Sequence, residues 1–318
     1  MFLKNVIYIA SCTKEGGIFE FEFNNQKLYS QKGITYIDSP MYMIMSKNKM
    51  HILLRSPFKN SQSGYINFGI SESGKLFEPS NLISTKGEIA CHLTSFNENI
   101  FCVNYASGDV TKIGGKTINH NRIDLPISHP HYVGATPDCK YLSVTDLGQD
   151  LIYIYDENLN CVKKNELPIG HGVRHLAFSK DGKYIFTANE LKSTVSVLEY
   201  NNGNMRLIDT KSSLPKDYNV ESFASAIRIY KNYIYVANRG HNSISKLSFN
   251  KKELKFIDSF DCKGKTPRDF IFHDNRIICA NQDSDSVTVF EEKPNGKFEF
   301  IQQINIEKPM CVICGKEE

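Results

Sequence analysis

FTANELKSTV, at Phe186–Val195, is one of five copies of a pattern that recurs along this chain. In each copy a β-rich run ends in a small polar residue, a polar loop follows, and an aliphatic residue opens the next run six positions later. The small polar residues stand 41, 44, 49 and 43 positions apart, at Asn104, Thr145, Asn189, Asn238 and Asn281. A period in the forties with several strands per repeat is typical of a β-propeller blade.

One repeat predicts how a blade is built. Arg174–Phe178 forms a first strand and Tyr184–Asn189 its return strand, while Asp-Gly within Ser179–Lys183 supplies the positive φ that a tight hairpin needs. A third strand at Thr194–Tyr200 and a fourth at Met205–Thr210 complete the unit. Because no stretch of the chain has convincing helical periodicity, the sequence predicts an all-β protein with four-stranded blades.

The two ends of the chain predict how the propeller closes. Complete inner hairpins begin near six positions, namely Met41, Cys91, His131, Arg174, Ser225 and Arg268. Lys308–Ile313 matches the inner strand of Lys265–Phe270 but lacks a return strand, whereas Val6–Ser11 is a return strand that lacks an inner partner. We therefore predict a seven-bladed propeller in a single domain, residues 1–318, closed by N- and C-terminal strands that share one blade. The absence of tryptophan excludes a WD-type repeat.

Composition narrows the choice of partner and compartment. The 38 basic and 35 acidic residues leave a net charge of +3 with no basic run, so we expect neither nucleic acid nor membrane binding. The apolar stretch in Met1–Cys12 is too short for a signal peptide. Nine cysteines, mostly within predicted strands, favour a reducing cytoplasm over a disulfide framework.

No cofactor and no metal are expected. Cys311 and Cys314 have the spacing of zinc ligands, but no second Cys or His pair accompanies them, and structural zinc needs four ligands. The carboxylates of Asp283 and Asp285 are the alternative place for a cation.

Charge is distributed unevenly over the repeats. Antiparallel pairing places the first residue of strand one and the last residue of strand two on the same rim, beside the central channel. Those positions are mostly apolar in the early blades, whereas the last four blades hold His131, Asp146, Arg174, Glu190, Arg239, Arg268, Gln282 and Asp283. A single arginine there would form an inter-blade ion pair, but three arginines converging with a histidine in a low-dielectric channel favour a ligand site.

Motifs around these positions resemble the lactonase family of seven-bladed propellers, which includes the propeller-type 6-phosphogluconolactonase and the carboxy-cis,cis-muconate cyclase. The motifs are HPH at His129–His131, GVRHLAF at Gly172–Phe178, NEL at Asn189–Leu191, NRGHNSI at Asn238–Ile244, TPRDF at Thr266–Phe270 and NQDSD at Asn281–Asp285. The resemblance covers nearly the whole chain and is strongest from His129 to Asp285. The early blades differ, since Arg55 stands where an Asn-Glu pair is usual.

This resemblance implies roles for the rim residues. It implies catalytic roles for His131, Arg174, Glu190 and Arg239. Histidine is suited to act as general base on water at neutral pH, and arginines stabilise the oxyanion and the product carboxylate. Glu190 either orients Arg174 or is itself the acid/base.

Four further residues are predicted to bind substrate, namely Asp146, Arg268, Gln282 and Asp283, with Arg268 or Arg239 holding a phosphate. His129 is expected to serve in positioning. His175 is expected to pack between blades with its side chain pointing away from the site.

The resulting prediction is a hydrolase of a small-molecule lactone, with 6-phosphogluconolactone of the pentose phosphate pathway as substrate. A monomer or a weak homo-oligomer would suffice for this activity. One alternative is a lactonising activity on a carboxylated muconate-type compound, and another is a non-catalytic propeller that binds a sugar acid or a protein. A serine-esterase mechanism is not expected, because the sequence has no Gly-x-Ser-x-Gly motif.

Overall fold

The computed structural model describes residues 6–23 and 29–315. The first five residues of the stretch analysed for a signal peptide lie outside these ranges. Within them the chain is all-β, as predicted, with strands β1–β29 and a 3₁₀ turn at Gln282–Ser284. In the same ranges no helix is long and apolar enough to cross a bilayer.

The described chain divides into two compact units. The first unit comprises the residues up to Thr85 together with those from Cys262 onward, and the second comprises Lys86–Asp261. That residues 1–318 form a single domain stays a prediction.

The first unit contains three antiparallel sheets, ordered β29-β1-β2-β3, β4-β5-β6-β7 and β25-β26-β27-β28, with β8 also paired to β6. Its strands are β1 (Val6–Ser11), β2 (Gly17–Phe23), β3 (Tyr29–Tyr36), β4 (Pro40–Ser46), β5 (Lys49–Leu54), β6 (Gly64–Ile70), β7 (Leu76–Phe77), β8 (Ile83–Ser84), β25 (Pro267–His273), β26 (Arg276–Asn281), β27 (Ser286–Glu292), β28 (Phe298–Asn305) and β29 (Pro309–Cys314). The chain ends share a sheet as predicted, since Ser11 of β1 pairs with Pro309 of β29 and Ile7 with Cys314.

The second unit contains four antiparallel sheets of four strands, each built from strands consecutive in sequence. Its strands are β9 (Ala90–Phe96), β10 (Asn99–Asn104), β11 (Asp109–Lys112), β12 (Thr117–Asn119), β13 (Pro130–Ala135), β14 (Leu142–Asp146), β15 (Leu151–Tyr155), β16 (Cys161–Glu166), β17 (Val173–Phe178), β18 (Tyr184–Asn189), β19 (Thr194–Asn201), β20 (Asn204–Ser212), β21 (Phe223–Tyr230), β22 (Tyr233–Arg239), β23 (Ser243–Phe249) and β24 (Leu254–Asp261).

Neighbouring sheets of the second unit are joined by buried apolar side chains. Val144 of β14 belongs to the same apolar cluster as Phe101 of β10, and Leu176 of β17 to the same cluster as Ile154 of β15. Val236 of β22 likewise clusters with Phe186 and Val195. Because burial of such side chains drives folding, these contacts hold the inner strands of adjacent sheets against each other.

The recurring small polar residues have a structural role. All five are completely buried. Four of them are asparagines whose Nδ2 donates to the hydroxyl seven positions later, in the pairs Asn104–Thr111 (3.3 Å), Asn189–Ser196 (2.8 Å), Asn238–Ser245 (2.9 Å) and Asn281–Thr288 (2.9 Å). Thr145 is the exception, because its hydroxyl donates instead to the carbonyl of Arg174 at 2.7 Å. The repeat therefore marks a buried hydrogen bond between the second and third strands.

In each of the seven sheets, the pairing of the two inner strands has a β-bulge near the start of the first one. In sheet β17–β20, for example, Val173 pairs with Asn189 but His175 pairs with Ala188, so Arg174 is an extra residue on its strand. The bulged residues are Met310, Met41, Cys91, His131, Arg174, Ser225 with Ala226, and Arg268. They coincide with the predicted rim positions. A bulge re-aims side chains and increases the local twist, which makes these positions suited to a site.

Removal of β29 is expected to destabilise the fold. A chain that ends at Glu307 would leave β1 paired on one edge only, and it would lose the buried side chains of β29. Their loss exposes the apolar residues that cluster with them, among them Ile9 and Met43. We expect aggregation or a fall in melting temperature of more than about 10 °C, because an unpaired edge and lost apolar burial act together. Circular dichroism melts and size-exclusion chromatography measure both effects.

The control for this truncation is a chain that ends at Gly315 and keeps β29 whole. If the chain ending at Glu307 melts at the same temperature as this control, β29 does not close the sheet in the way that we describe.

Candidate active site

Arg174 is held at the start of β17 by the bulge and by Thr145. The Thr145 hydroxyl donates to the Arg174 carbonyl, so β14 of the preceding sheet fixes the backbone at this position. The side chain of Arg174 is only 2% exposed. A guanidinium with so little access to water is expected to have fixed partners.

Glu190 provides the partner that Arg174 needs and binds a second arginine as well. One oxygen, Oε2, lies 2.9 Å from Arg174 Nε and 2.8 Å from Arg239 Nη2. The three residues come from the start of β17, the loop after β18 and the end of β22, so the cluster joins two neighbouring sheets of the second unit. Two guanidiniums and one carboxylate carry a net charge of +1. Because the side chains of Glu190 and Arg239 are about 15% exposed, a ligand in solvent can approach the cluster from their side.

The loop that leads into β17 supports Glu190. The Glu190 N–H donates to the Gly172 carbonyl at 2.7 Å. Gly172 has φ +67°, and a Cβ there would lie 2.5 Å from Leu191 Cγ, so only glycine fits. The buried carboxylate of Asp150 accepts hydrogen bonds from the N–H groups of Gly170 (2.6 Å) and Gly172 (2.5 Å). Asp150 is therefore a positioning residue that the sequence analysis missed. The available signal was the glycine-rich Gly170–Gly172 loop, whose N–H groups need acceptors, but nothing in the sequence names Asp150 as that acceptor.

His131 is the bulged residue of β13 and is 4% exposed. Its ring lies 5.7 Å from the Tyr105 ring in an edge-on arrangement and 5.2 Å from the ring of His175. His175 directly follows Arg174 in the chain. The structure thus brings His131 next to the strand that carries Arg174, in the same unit as Glu190 and Arg239.

The prediction that His175 points away from the site is wrong. Its ring is buried and lies 5.2 Å from both His131 and His92. Simple alternation along β17 placed His175 on the other face, but the bulge at Arg174 breaks that alternation.

We expect His175, which contacts His131, and His92, which contacts His175, to be neutral at pH 7. Burial lowers the pKa of His92 to about 3, with further contributions from Arg228 and Arg174. Burial also holds the pKa of His175 well below its ordinary value, and the nearby Arg174 lowers it further. His175 therefore adds no positive charge next to His131.

Asp146 does not face a ligand. It is completely buried, and its oxygens interact with four groups, namely Ser128 Oγ (2.5 Å), His129 N (2.9 Å), His120 Nδ1 (3.0 Å) and Gln149 N (3.2 Å). The structure therefore gives Asp146 a positioning role where substrate binding was predicted. It holds the backbone of His129, whose ring stacks on Tyr105 at 4.5 Å.

The other predicted substrate-binding residues belong to the first unit. Arg268 is the half-buried bulged residue of β25. Gln282 begins the 3₁₀ turn after β26, and its N–H donates to the Thr266 carbonyl at 3.0 Å. Asp283 accepts a hydrogen bond of 2.6 Å from the Thr266 hydroxyl. The roles of these three residues in binding stay predictions. Among the described residues no cluster of three or more His, Cys, Asp or Glu side chains has the geometry of a metal site.

Comparison with known proteins identifies the family. The family profile described as Lactonase, 7-bladed beta-propeller matches residues 6–314. The chain belongs to this lactonase family. The predicted resemblance is thereby confirmed, and the seven sheets are the seven blades of the propeller.

Relatives of this lactonase-family chain match it along almost its full length. An uncharacterized protein from Staphylococcus aureus strain N315 is 29% identical over 96% of this chain and 98% of its own. The structure of a periplasmic gluconolactonase from Pseudomonas aeruginosa superposes with a TM-score of 0.88 at 21% identity, covering 97% and 98% of the two chains. A candidate 6-phosphogluconolactonase from Bacteroides fragilis gives 0.85 at 22% identity, covering 98% of each chain. At these identities the two structures show the shared fold.

Proposed function

We propose that this protein hydrolyses the lactone of a sugar acid, with 6-phosphogluconolactone as the substrate. The observation that carries the proposal is the cluster of Arg174, Glu190 and Arg239. Two arginines share one carboxylate oxygen at 2.9 and 2.8 Å, which leaves a net positive charge in a largely buried place. Such a charge is costly unless an anion compensates it. The reaction supplies that anion, first as the tetrahedral oxyanion and then as the product carboxylate.

The proposed reaction needs one water molecule and one proton acceptor. His131 takes a proton from water while the water oxygen forms a bond to the lactone carbonyl carbon. The carbonyl π electrons move to its oxygen, which becomes the oxyanion. When this intermediate collapses, the ring C–O bond breaks and His131 returns the proton to the departing oxygen. A lactone and water thus become a hydroxy acid, whose carboxyl group then ionises, and no covalent enzyme intermediate is required.

His131 is the better candidate for the base than Glu190. Protonating Glu190 would remove the counter-ion of Arg174, which is almost fully buried, and of Arg239. Leaving buried charges uncompensated costs about 3–5 kcal/mol. His131 lies against the aromatic ring of Tyr105 and the neutral ring of His175, so its protonation breaks no ion pair with either neighbour. We assign to Glu190 the orientation of the two guanidiniums.

Arg239 is the proposed donor to the oxyanion. Its guanidinium lies 5.8 Å from the centre of the Phe223 ring, and Nη2 donates to the Ala224 carbonyl at 3.3 Å and forms the ion pair with Glu190. These contacts fix the plane of the guanidinium before substrate binds. Preorganised donors of this kind stabilise a transition-state charge without the cost of reorganisation. Arg174, which is held by its ion pair with Glu190, adds a second positive charge that stabilises the oxyanion.

Two further observations support a sugar-acid lactone of the cytoplasm as the substrate. The solved relatives include a gluconolactonase and a candidate 6-phosphogluconolactonase, which favour a sugar-acid lactone. All nine cysteines are free thiols, and three of them, Cys12, Cys139 and Cys161, have access to solvent. Free thiols are typical of a reducing compartment, which supports a place in the cytoplasm and in the pentose phosphate pathway.

The proposal is tested by measuring hydrolysis of freshly prepared 6-phosphogluconolactone and of unphosphorylated gluconolactone. We expect both lactones to be hydrolysed and kcat/KM to be higher for the phosphorylated one. Turnover of a carboxymuconolactone alone would support the lactonising alternative. Binding of gluconate in calorimetry without any turnover would support the non-catalytic propeller.

Arg268 is proposed to bind the phosphate group. We expect Arg268→Ala to raise KM for 6-phosphogluconolactone by about 10- to 100-fold and to leave KM for gluconolactone within about twofold, because the lost interaction is made equally in ground and transition states. Lys265→Ala, which removes a charge from an exposed position in the loop before β25, is the matched control. Equal effects of Arg268→Ala on both lactones would contradict the assignment.

A further inference from the structure

We propose that Arg55 and Arg268 together form a binding site for the phosphate group of a phosphomonoester, with the thiol of Cys12 between them. All three residues belong to the first unit. Identifying this phosphate with that of the lactone substrate rests on the proposed function, whereas the binding site itself does not. Arg55 would then determine specificity for a phosphorylated substrate.

Backbone hydrogen bonds place Cys12 and Arg55 on the same rim of the first unit. Cys12 directly follows β1, and Arg55 directly follows β5. The Ser39 N–H donates to the Thr13 carbonyl at 2.8 Å, and the Arg55 N–H donates to the Ser39 carbonyl at 3.0 Å. The Arg55 carbonyl accepts a hydrogen bond of 2.6 Å from the Ser63 hydroxyl. The backbone of Arg55 is therefore fixed, although its side chain is exposed.

A second set of hydrogen bonds connects Cys12 to the loop that leads to Arg268. The Cys12 N–H donates to the Lys308 carbonyl at 3.0 Å, and the Lys308 N–H donates to an Asp285 carboxylate oxygen at 2.9 Å. Asp285 directly follows the 3₁₀ turn, whose N–H groups donate to the loop just before β25. Arg268 is the half-buried bulged residue of β25. Along this rim Cys12 therefore lies between the two arginines.

The electrostatic field at the Cys12 sulfur is positive. Burial raises the pKa of the Cys12 thiol, and the charges of Arg55 and Arg268 lower it in part. The charge of Asp38 raises this pKa, but by less than either arginine lowers it. We expect the thiol to be protonated at pH 7, where it donates to Met41 Sδ at 3.4 Å. The thiol therefore does not neutralise the two arginines.

Two guanidiniums on either side of a neutral thiol suit a doubly charged oxyanion. A phosphate monoester carries a charge of about −1.5 to −2 at pH 7 and offers three acceptor oxygens, enough for two guanidiniums. A carboxylate has one charge and two oxygens, which a single guanidinium satisfies. Within the described ranges Arg55 forms no ion pair with a carboxylate, unlike Arg174, Arg206, Arg239 and Arg276. Its charge is thus available to a ligand.

Cys12 reports directly on the occupancy of this site, because its thiol is half-buried and has access to solvent. We expect inorganic phosphate, at ten times its Kd, to slow alkylation of Cys12 by iodoacetamide about tenfold. Alkylation of Cys139, an exposed thiol in the turn between β13 and β14, should keep its rate. Sodium chloride of the same ionic strength should slow neither reaction. Peptide mass spectrometry reads both rates in one sample.

Matched variants decide the outcome, with the rates compared in the presence and absence of phosphate for each protein. Arg55→Gln changes an exposed side chain and should abolish the protection of Cys12. Lys59→Gln removes the same charge from an exposed position in the loop after β5 and should leave the protection unchanged. Equal protection by sodium chloride, protection that survives Arg55→Gln, or no protection at all would each overturn the proposal.

Steady-state kinetics connects the site with the substrate. We expect Arg55→Gln to raise KM for 6-phosphogluconolactone by about 10- to 100-fold and to leave KM for gluconolactone within about twofold. An equal effect on both lactones would overturn the role of Arg55 in specificity. Phosphate protection of Cys12 in a protein that hydrolyses neither lactone would reject the proposed function and would support the phosphate site.

Discussion

Replacing His131 by alanine is expected to lower kcat for lactone hydrolysis by about 10²–10⁴-fold, the usual contribution of a positioned general base. KM should change little, because the arginines that bind the anion remain. The ring of His131 is buried beside Tyr105 and His175, so the alanine variant also loses packing. His131→Gln keeps most of that volume and should lose activity to the same extent. Steady-state kinetics on folded protein, checked by circular dichroism, measures the effect.

The matched control for His131 is another buried histidine outside the cluster. His51 lies in β5 and makes a hydrogen-bonding contact of 2.6 Å with Tyr65 of the adjacent strand. His51→Gln therefore tests the cost of losing a buried imidazole, and its kcat should stay within about threefold of the unmodified protein, as expected of a residue without a catalytic role. His175 cannot serve as the control, because it contacts His131. Near-native turnover in both His131 variants would reject the proposed base and would favour a binding function.

Loss of Arg239 is expected to be as damaging as loss of the base. We expect Arg239→Gln to lower kcat by about 10²–10³-fold, or roughly 3–4 kcal/mol of barrier, because a preorganised donor to the oxyanion is removed. Arg239→Lys keeps the charge but not the planar guanidinium and should recover only part of the activity. Replacing Arg239 leaves Glu190 paired with Arg174, so no buried charge is left without a counter-ion and the fold should stay intact.

Arg174→Ala should add a stability defect to the loss of activity. The side chain of Arg174 is almost fully buried, so its truncation leaves a cavity and is expected to cost about 2–5 kcal/mol of unfolding free energy, although Glu190 keeps Arg239 as a counter-ion. Arg206→Gln is the control, since Arg206 forms an exposed ion pair of 2.6 Å with Glu199 and such pairs contribute at most about 1 kcal/mol. Denaturant titration separates the two variants. If Arg174→Ala and Arg239→Gln retain full activity, the cluster is a structural ion pair only.

Much of the fold could be predicted because its signals are local and repeated. The Asp-Gly turn between β17 and β18 sets the hairpin register, and His175 pairs with Ala188 as the turn centre requires. The match of Lys308–Ile313 to other inner strands predicted the pairing of β29 with β1. Each of these features follows from residues within a few positions of one another or from their recurrence at a fixed period.

The sequence by itself therefore determined most of the strands, the register beside the turn between β17 and β18, the shared blade and the positions at which charge accumulates. Only the tertiary structure decided what those charges do. The Glu190 oxygen joins arginines from two sheets, Asp146 is turned inward to hold His129, and His175 contacts His131 because a bulge interrupts alternation. The physical reason is that hairpin pairing is set by turns and side-chain periodicity along the chain. The direction of a bulged side chain and the partner of a buried charge depend instead on how neighbouring sheets pack.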